Sequence, residues 1–351
     1  MSKSEGEIFN SPPSAKSFVP LVSVIKKSSP TSVAQAKDLY LQTGDTIVKE
    51  LCGGASGALV YLIQDSDSNL KVRKLKLNSD HGHSSKNVLE EPHWISYVAG
   101  ITEHVSLELN ETRRIATNIY TQMSNFYPKI YALGELETSC TNSSGTNVHH
   151  PIGVFYDQEY LPGNLAIDGL HRESLSARNY FKAITPWIDL LSTSWESEYA
   201  VTLSKDEGAT EFDTIYVERC LSRMKSDPRC DSTHITLNRL FTSPWIRIDQ
   251  IDCRNPFDVL RSIQNDPKLK DEFSLQKMIP HLHGDATPQN TIISESGQAK
   301  LFDPRINEGW RDNVDMLRNN DMFELMKIGF GPYLYAMMNK VLSFTEVPID
   351  H

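Results

Sequence analysis

Residues 281–305 read HLHGDATPQNTIISESGQAKLFDPR, and the rest of the chain can be interpreted outward from this segment. Two short apolar runs, TII and AKLF, flank the turn-forming residues SESG, a pattern that predicts a β-hairpin. One end of this hairpin carries Asp285 and Asn290, and its second strand leads into Asp303. A phosphoryl-transfer site needs an orienting or proton-accepting group for a hydroxyl and hard oxygen ligands for Mg²⁺. Two carboxylates and an amide oxygen at one rim of a hairpin meet both needs.

The motif His283-Gly284-Asp285, with Asn290 and Asp303, resembles the catalytic loop and metal-binding Asp of the aminoglycoside phosphotransferase and choline kinase group, within the protein-kinase-like superfamily. The resemblance covers about residues 47–335, and its most specific motifs lie within 283–305. It implies an α+β, two-lobed protein-kinase-like fold, with a small antiparallel-sheet N-lobe, a larger and mostly helical C-lobe, and ATP with Mg²⁺ in the cleft between them.

The resemblance also implies roles for individual residues. Asp285 would orient or deprotonate the acceptor hydroxyl, while Asn290 and Asp303 would hold Mg²⁺. His283 is expected to support the loop through hydrogen bonds rather than to transfer protons.

Composition narrows the possible partners. The 351 residues carry a net charge of −10 with a pI near 5.6, and no long Lys/Arg run is present, which argues against nucleic acid as a partner. No apolar stretch approaches the roughly 18 residues of a membrane span, and the N-terminus lacks the apolar core of a signal peptide. The five cysteines have no Cys-x-x-Cys spacing, so reduced thiols are expected. We expect a cytoplasmic protein without a membrane or nucleic-acid partner.

The order of sequence patterns predicts three regions. Residues 1–32, rich in Ser, Pro and Lys, read as a flexible tail or an arm lying on the body. Residues 33–160 are the predicted N-lobe with the nucleotide-binding sheet, and residues 161–351 are the predicted helical C-lobe with the catalytic loop and acceptor pocket. Apolar alternation predicts the first strands of the N-lobe at 47–51, 58–64 and 70–77.

The connection between the first two strands reads CGGASG at residues 52–57. Glycine admits close approach of a ligand to the backbone, so N–H groups here can close over phosphates. Gly54, Ser56 and Gly57 are therefore candidate nucleotide-binding residues.

The third strand contains the cations expected to bind the α and β phosphates. Lys74 is the candidate, because Val72-Arg73-Lys74 matches the register of the superfamily's third-strand lysine. Arg73 and Lys76 remain alternatives, since a one-residue slip exchanges the two faces of a strand.

A helix is predicted from Leu107 to Phe126, and Glu111 on it is the candidate partner that pins the phosphate-binding lysine. Glu108 is the competing glutamate on the same helix. Residues 78–104, which include three histidines, are interpreted as an insertion.

The strand ending at Gln158 and Glu159 runs into Tyr160-Leu161-Pro162-Gly163. This resembles the hinge of the superfamily, where backbone groups bind the edge of the adenine. Glu159 and Tyr160 are therefore candidate nucleotide-binding residues at the lobe boundary.

Helical insertions before the catalytic loop form the acceptor pocket in small-molecule kinases. Candidate pocket residues are Trp195, Tyr199, Trp245, Arg247 and Asp249. Behind the catalytic loop, Asp321, Glu324 and Lys327 are expected to form a buried charge network.

Together these features predict transfer of the γ-phosphoryl group of ATP to a hydroxyl on a small molecule such as a sugar, an amino sugar or an amino alcohol. Asp303-Pro304-Arg305 stands in place of Asp-Phe-Gly, and no Ala-Pro-Glu follows, so the chain lacks the activation segment on which a protein kinase lays its peptide. Two alternatives stay open: a catalytically silent nucleotide-binding or scaffold pseudokinase, and a protein kinase.

Overall fold

The computed structural model describes residues 24–25, 44–51, 58–77, 86–101, 105–141, 147–172, 174–219, 222, 243–248, 251–273, 277–306, 309–320, 328 and 344–346. The fold is mixed, with antiparallel sheet and several helices, which confirms the predicted α+β class. The chain divides into two compact units, Met1–His104 with Pro128–Tyr160 and Val105–Tyr127 with Leu161–His351.

The strands, numbered along the chain, are β1 (Val24–Ile25), β2 (Thr46–Leu51), β3 (Leu59–Gln64), β4 (Leu70–Leu77), β5 (Ile130–Thr141), β6 (Asn147–Glu159), β7 (Asn164–Leu165), β8 (Val201–Thr202), β9 (Trp245–Ile248), β10 (Ile251–Arg254), β11 (Lys277–Pro280), β12 (Thr291–Ile293), β13 (Ala299–Leu301), β14 (Arg318–Asn320) and β15 (Phe344–Glu346).

The α-helices are α1 (Lys86–Val98), α2 (Leu107–Ile115), α3 (Thr117–Ser124), α4 (Ala166–His171), α5 (Ala177–Trp195), α6 (Lys205–Phe212), α7 (Pro256–Asn265) and α8 (Pro267–Phe273). A π-helix, Asp213–Glu218, continues α6, and short 3₁₀ turns lie at Pro288–Asn290, Trp310–Asp312 and Val314–Leu317. No helix among these described residues is long and apolar enough to cross a membrane.

The first unit is built on a sheet with the strand order β1-β5-β6-β4-β3-β2. Its neighbouring strands pair antiparallel except β1 and β5, which are parallel. Helix α1 packs on β5 and β6 and buries Trp94, Ile95 and Val98. The three strands predicted near residues 47–77 are present as β2, β3 and β4.

Three boundaries differ from those expected from the sequence. Val24 and Ile25, within the predicted flexible tail, form strand β1 against Glu137 and Thr138 of β5. Residues 86–98, within the predicted insertion, form helix α1. The segment Val105–Tyr127, predicted to lie in the N-lobe, belongs to the second unit.

In the second unit, α5 follows the helical period seen in the sequence. Tyr180, Ile184, Trp187 and Leu191 lie along one face and are all buried. Burial of such large side chains stabilises a helix by roughly 1.5–3 kcal/mol each relative to their exposure to water, which outweighs the interior Pro186 of this helix.

The predicted hairpin is also present. Strands β12 and β13 pair antiparallel, with Thr291 opposite Leu301, and β7 adds to the other edge of β12. The turn contains Gly297 at φ +79°, a left-handed conformation that glycine adopts at no steric cost. The candidate site residues flank this hairpin: Asp285 and Asn290 precede β12, and Asp303 follows β13.

Candidate functional site

Lys74 on β4 faces helix α1. Its Nζ lies 2.7 Å from Oε2 of Glu91, and the side chains of the two residues are 12% and 6% exposed. The Lys74 ammonium also lies 5.8 Å from the ring centroid of Tyr156 on β6. The ion pair with a helix glutamate therefore restrains the charged end of this largely enclosed lysine.

Arg73 faces the opposite side of the sheet. Its guanidinium bonds both carboxylate oxygens of Asp157 at 2.6 and 2.7 Å, and it lies 3.0 Å from Asp45. Burial lowers the pKa of Arg73, but the bonds and charges of Asp157 and Asp45 outweigh burial and raise it above its ordinary value. Arg73 is thus engaged by two carboxylates, whereas Lys74 pairs with Glu91 on the helix.

The prediction that Glu111 pins the phosphate-binding lysine is wrong. Glu111 lies exposed on α2 and bonds Arg114, three residues along the same helix, at 3.0 Å. The glutamate that pairs with Lys74 is Glu91.

Glu91 was missed because residues 78–104 were interpreted as an insertion. The helical signal was present in the apolar residues Trp94, Ile95 and Val98, which recur at helical spacing. Pro92 directly follows Glu91 and normally marks a helix start or break, so it weakened that signal.

The two groups of predicted nucleotide-binding residues in the first unit stay predictions. Gly54, Ser56 and Gly57 lie outside the described residues. Glu159 ends β6, and its N–H donates to the Lys129 carbonyl at 2.8 Å while its carboxylate accepts from the Lys129 N–H at 3.1 Å. Tyr160 follows as the last residue of the first unit. The adenine-binding role of Glu159 and Tyr160 stays a prediction.

The catalytic-loop candidate in the second unit is held by His283. The Asp285 N–H donates to Nδ1 of His283 at 3.2 Å, so Nδ1 carries no hydrogen. In the neutral ring, Nε2 is then the donor, and it bonds the Phe302 carbonyl at 3.1 Å. His283 therefore links Asp285 to the strand end before Asp303 through its two ring nitrogens.

Aromatic packing fixes the orientation of this ring. His283 is fully buried, stacks on Tyr127 with ring centroids 5.8 Å apart, and meets Trp187 edge-on at 6.2 Å. The Tyr127 hydroxyl donates to the Leu282 carbonyl at 2.5 Å. The loop is therefore supported from α5 and from the segment after α3.

The two candidate metal ligands are joined to Asp285 through the backbone. Asn290 Nδ2 donates to the Asp285 carbonyl at 2.9 Å, and the Phe302 N–H donates to the Asn290 carbonyl at 3.0 Å. Asp303 follows with φ +59°, a left-handed conformation that few side chains other than Asn and Asp tolerate. The structure thus brings Asp285, Asn290 and Asp303 to one end of the β12–β13 hairpin.

Asn290 and Asp303 have side chains that could bind Mg²⁺. With its Nδ2 bonded to Asp285, the Asn290 amide offers Oδ1 as a hard ligand, and Asp303 supplies a carboxylate. The described residues contain no group of three or more His, Cys, Asp or Glu side chains that could hold a metal. Two protein oxygens suit Mg²⁺ in a kinase-type site, because water and phosphate oxygens complete its octahedral shell.

Arg305 contacts the loop at His283, Gly284 and Asp285. Its N–H donates to the His283 carbonyl at 2.8 Å, and its Nη2 lies 3.7 Å from Oδ2 of Asp285. Gly284 lies between them at φ +72°, and a Cβ there would be 2.5 Å from the Arg305 carbonyl oxygen. Only glycine fits this contact.

His281, at the start of the loop, is buried, and its N–H donates to the Leu317 carbonyl at 2.6 Å. Burial lowers the pKa of His281 from 6.5 to about 3, so the ring is neutral at physiological pH. His281 contributes to the interior of the loop and not to its charge.

The predicted pocket residues are used in different ways. Tyr199 is buried, bonds the Val314 carbonyl at 3.3 Å and lies under the Arg318 guanidinium at 4.5 Å, which is a packing role. Arg247 is paired with Asp252. Trp195 and Trp245 remain partly exposed. Asp249, Asp321, Glu324 and Lys327 lie outside the described residues.

No protein-family model matches the chain, and no curated protein matches it.

Proposed function

We propose that the chain is an ATP- and Mg²⁺-dependent phosphotransferase of the two-lobed kinase-like type, and that it transfers the γ-phosphoryl group to a hydroxyl of a small molecule. The observation that carries the proposal is the hydrogen-bonded chain from Asp285 through Asn290 to Phe302, the residue before Asp303. A proton acceptor and two hard oxygen ligands meet at one hairpin end, which is what phosphoryl transfer requires.

In this proposal Asp285 accepts the hydrogen bond, and then the proton, of the acceptor hydroxyl. His283 keeps the Asp285 backbone in place through the Nδ1 bond. Asn290 and Asp303 hold Mg²⁺. Magnesium with ATP, when bound, supplies the phosphoryl group and neutralises charge as the bond to the leaving group breaks.

Lys74 and Glu91 support the same proposal from the first unit. A lysine that binds the α and β phosphates must stay extended, and the 2.7 Å bond to Glu91 restrains it in that state. The superfamily uses such a strand-lysine and helix-glutamate pair for this purpose. We propose that Lys74 holds the phosphates, with Gly54, Ser56 and Gly57 covering them and with Glu159 and Tyr160 at the adenine.

The acceptor is proposed to be a sugar, an amino sugar or an amino alcohol. Support comes from the sequence after Asp303, which has no Ala-Pro-Glu to bound a peptide-binding segment. We expect the reaction to take place in the cytoplasm, with no nucleic-acid or membrane partner.

The test is a mass-spectrometric screen of pooled metabolites with Mg²⁺-ATP, comparing the wild-type protein with Asp285→Asn. The variant keeps the size and most hydrogen bonds of Asp285 but cannot accept the proton. We expect a product 80 Da heavier than one metabolite, with kcat lower by about 10²–10⁴-fold in the variant and ATP affinity little changed.

The same experiment separates the alternatives. Stoichiometric binding of Mg²⁺-ATP without turnover on any acceptor would identify a silent nucleotide-binding protein. Equal product formation by wild type and Asp285→Asn would remove Asp285 from the chemistry.

A further inference from the structure

Arg305 is held against the catalytic loop by its backbone and reaches Asp285 with its side chain. The Arg305 N–H bonds the His283 carbonyl, and the Arg305 carbonyl lies over Gly284 so closely that a Cβ would not fit. Both contacts involve Arg305 backbone atoms, so they set the position of its Cα. The guanidinium then lies beside the carboxylate that is proposed to receive the acceptor proton.

The ion pair itself is loose. The Nη2–Oδ2 distance is 3.7 Å, longer than the roughly 2.7–2.9 Å of a charge-assisted hydrogen bond. The Arg305 side chain is 50% exposed. Arg73, in contrast, bonds Asp157 through two nitrogens at 2.6 and 2.7 Å. Arg305 therefore keeps most of its five donors directed away from Asp285.

A bound nucleotide would add negative charge to this hairpin end. Asp285 and Asp303 each bring a negative charge, and a nucleotide triphosphate brings about four more at neutral pH, against two positive charges on Mg²⁺. Arg305 adds a positive charge next to Asp285, where the acceptor oxygen is proposed to bind.

We propose that Arg305 is a further catalytic residue, whose guanidinium binds the oxygens of the transferring phosphoryl group. This inference rests on the proposed function. A hydroxyl bonded to Asp285 lies about 2.7 Å from the carboxylate, and Nη2 of Arg305 lies 3.7 Å from Oδ2 of the same carboxylate. A phosphoryl group attacked by that hydroxyl can therefore place one of its oxygens near the guanidinium.

One bond to the γ-phosphorus forms in this step and one bond breaks. The acceptor oxygen forms a bond to the γ-phosphorus while the bond from that phosphorus to the β,γ-bridging oxygen breaks, and the electron pair of the broken bond goes to ADP. The acceptor proton passes to Asp285 and from there to water. Arg305 gives up no proton, and it stabilises the negative charge spread over the equatorial phosphoryl oxygens.

Calorimetry with ADP, Mg²⁺ and aluminium fluoride tests the inference without measuring turnover, because aluminium fluoride imitates the phosphoryl group in transfer. We expect Arg305→Met to weaken binding of the ADP–aluminium fluoride complex by about 10²-fold and to change the affinity for ADP alone by less than about 2-fold. Arg254→Met is the matched control, because Arg254 is 49% exposed and pairs with Asp258 on α7. Both affinities should be unchanged in that variant.

A double-variant cycle separates direct contact from an effect through Asp285. In the Asp285→Asn background, Arg305→Met should still weaken the aluminium fluoride complex by about the same factor. Loss of that effect would make Arg305 only a positioning residue for Asp285 and overturn the inference. Equal weakening of ADP and of the aluminium fluoride complex would overturn it as well.

The outcomes also distinguish the inference from the proposed function. If the wild-type protein binds neither ADP nor the complex, the proposed function fails and the inference fails with it. If the wild type binds the complex tightly and Arg305→Met binds it equally well, the proposed function stands and Arg305 is removed from the phosphoryl site.

Discussion

Asp303 occupies a left-handed backbone conformation that Asp tolerates better than most residues and that glycine adopts more easily still. A left-handed φ of +59° costs an ordinary L-residue roughly 1–2 kcal/mol, and glycine would relieve this cost. Strain of this kind persists where the surrounding structure imposes it, often at functional sites. Here the backbone of Phe302, the residue before Asp303, bonds His283 and Asn290. These bonds restrain the backbone that leads into Asp303.

Because of this conformation, substitutions at Asp303 should affect turnover and the free energy of unfolding differently. Asp303→Gly removes the carboxylate and relieves the backbone, so we expect turnover to fall by about 10²-fold or more while the free energy of unfolding does not fall. Asp303→Ala should lose the same turnover and unfold about 1 kcal/mol more easily. Steady-state kinetics and urea denaturation check the pair. Near wild-type turnover in either variant would remove Asp303 from the metal site.

A second residue-scale prediction concerns His281. Its pKa is lowered from 6.5 to about 3 in the folded chain, so below pH 6.5 the unfolded chain binds a proton that the folded chain does not. Stability is therefore lost as the pH falls through the window between these values. His281→Gln lacks this proton site. We expect the stability difference between wild type and variant to shift by about 2 kcal/mol against the wild type between pH 6.5 and 4.5.

Urea titrations of both proteins across that pH range measure the difference, and other titrating groups cancel in the comparison. Parallel stability curves for wild type and His281→Gln would show that His281 is protonated equally in both states.

At the scale of elements, the pairing between β4 and α1 replaces the one expected with α2. Glu91→Gln removes the charge that restrains Lys74, and we expect ATP to bind about 10-fold more weakly as a result. Lys74→Met should weaken binding further. Glu111→Gln is the matched control, because Glu111 is exposed and bonds only its helix neighbour Arg114 among the described residues. Equilibrium binding of a fluorescent ATP analogue ranks the three variants.

Unchanged affinity in Glu91→Gln, or a loss in Glu111→Gln, would contradict this assignment. A decline in stability of Glu91→Gln is expected as well, since the Lys74 ammonium would lose its buried counter-charge.

The loop before β12 gives a second element-scale prediction. Gly284→Ala imposes both a left-handed alanine and a Cβ 2.5 Å from the Arg305 carbonyl oxygen, whereas Gly297→Ala at φ +79° meets nothing within 4 Å. We expect about 1 kcal/mol of destabilisation for Gly297→Ala and about 3 kcal/mol or more for Gly284→Ala. Thermal denaturation measures both. Equal effects would mean that the loop relaxes freely around residue 284.

Local sequence patterns predicted the elements whose stabilising contacts are near in sequence. The β12–β13 hairpin, strand β4 and helix α5 follow period-2 or period-3.6 apolar patterns with clear turn residues, and all three are present. Lys74 was identified by register within its strand, and its contact with α1 agrees with that choice.

The partner of Lys74 could not be chosen in the same way, because that depends on which helix packs on the sheet. Glu91 and Glu111 both lie on helices after β4, and the sequence offers no local signal for long-range packing. Asp285, Asn290 and Asp303 were predicted as site residues from their spacing and from the family resemblance that it carries. The Arg305–Asp285 contact depends on the fold of the whole loop and was not predicted.

At the scale of the whole molecule, the prediction is the class of acceptor. We expect measurable phosphorylation of a sugar, an amino sugar or an amino alcohol and negligible transfer to casein-like or histone-like proteins, because no segment bounded by Asp-Phe-Gly and Ala-Pro-Glu is available to hold a peptide. Phosphate transfer from labelled ATP, with Asp285→Asn as the blank, measures both. Robust labelling of a folded protein that disappears in Asp285→Asn would refute the prediction.

The chain passes between its two units after His104, Tyr127 and Tyr160, and this path sets an order of assembly during synthesis. The first unit has all of its residues once Tyr160 is made. The hydrogen bond from Tyr127 to the Leu282 carbonyl cannot form before Leu282 is synthesised. At about 5–20 residues per second, the ribosome needs roughly ten to thirty seconds to extend the chain from Tyr127 to Leu282. Until then Leu109, Tyr120 and Met123, buried in the finished protein, lack the later part of their own unit. Nascent chains halted before residue 161 therefore carry a helical segment that chaperones can recognise by its exposed apolar side chains.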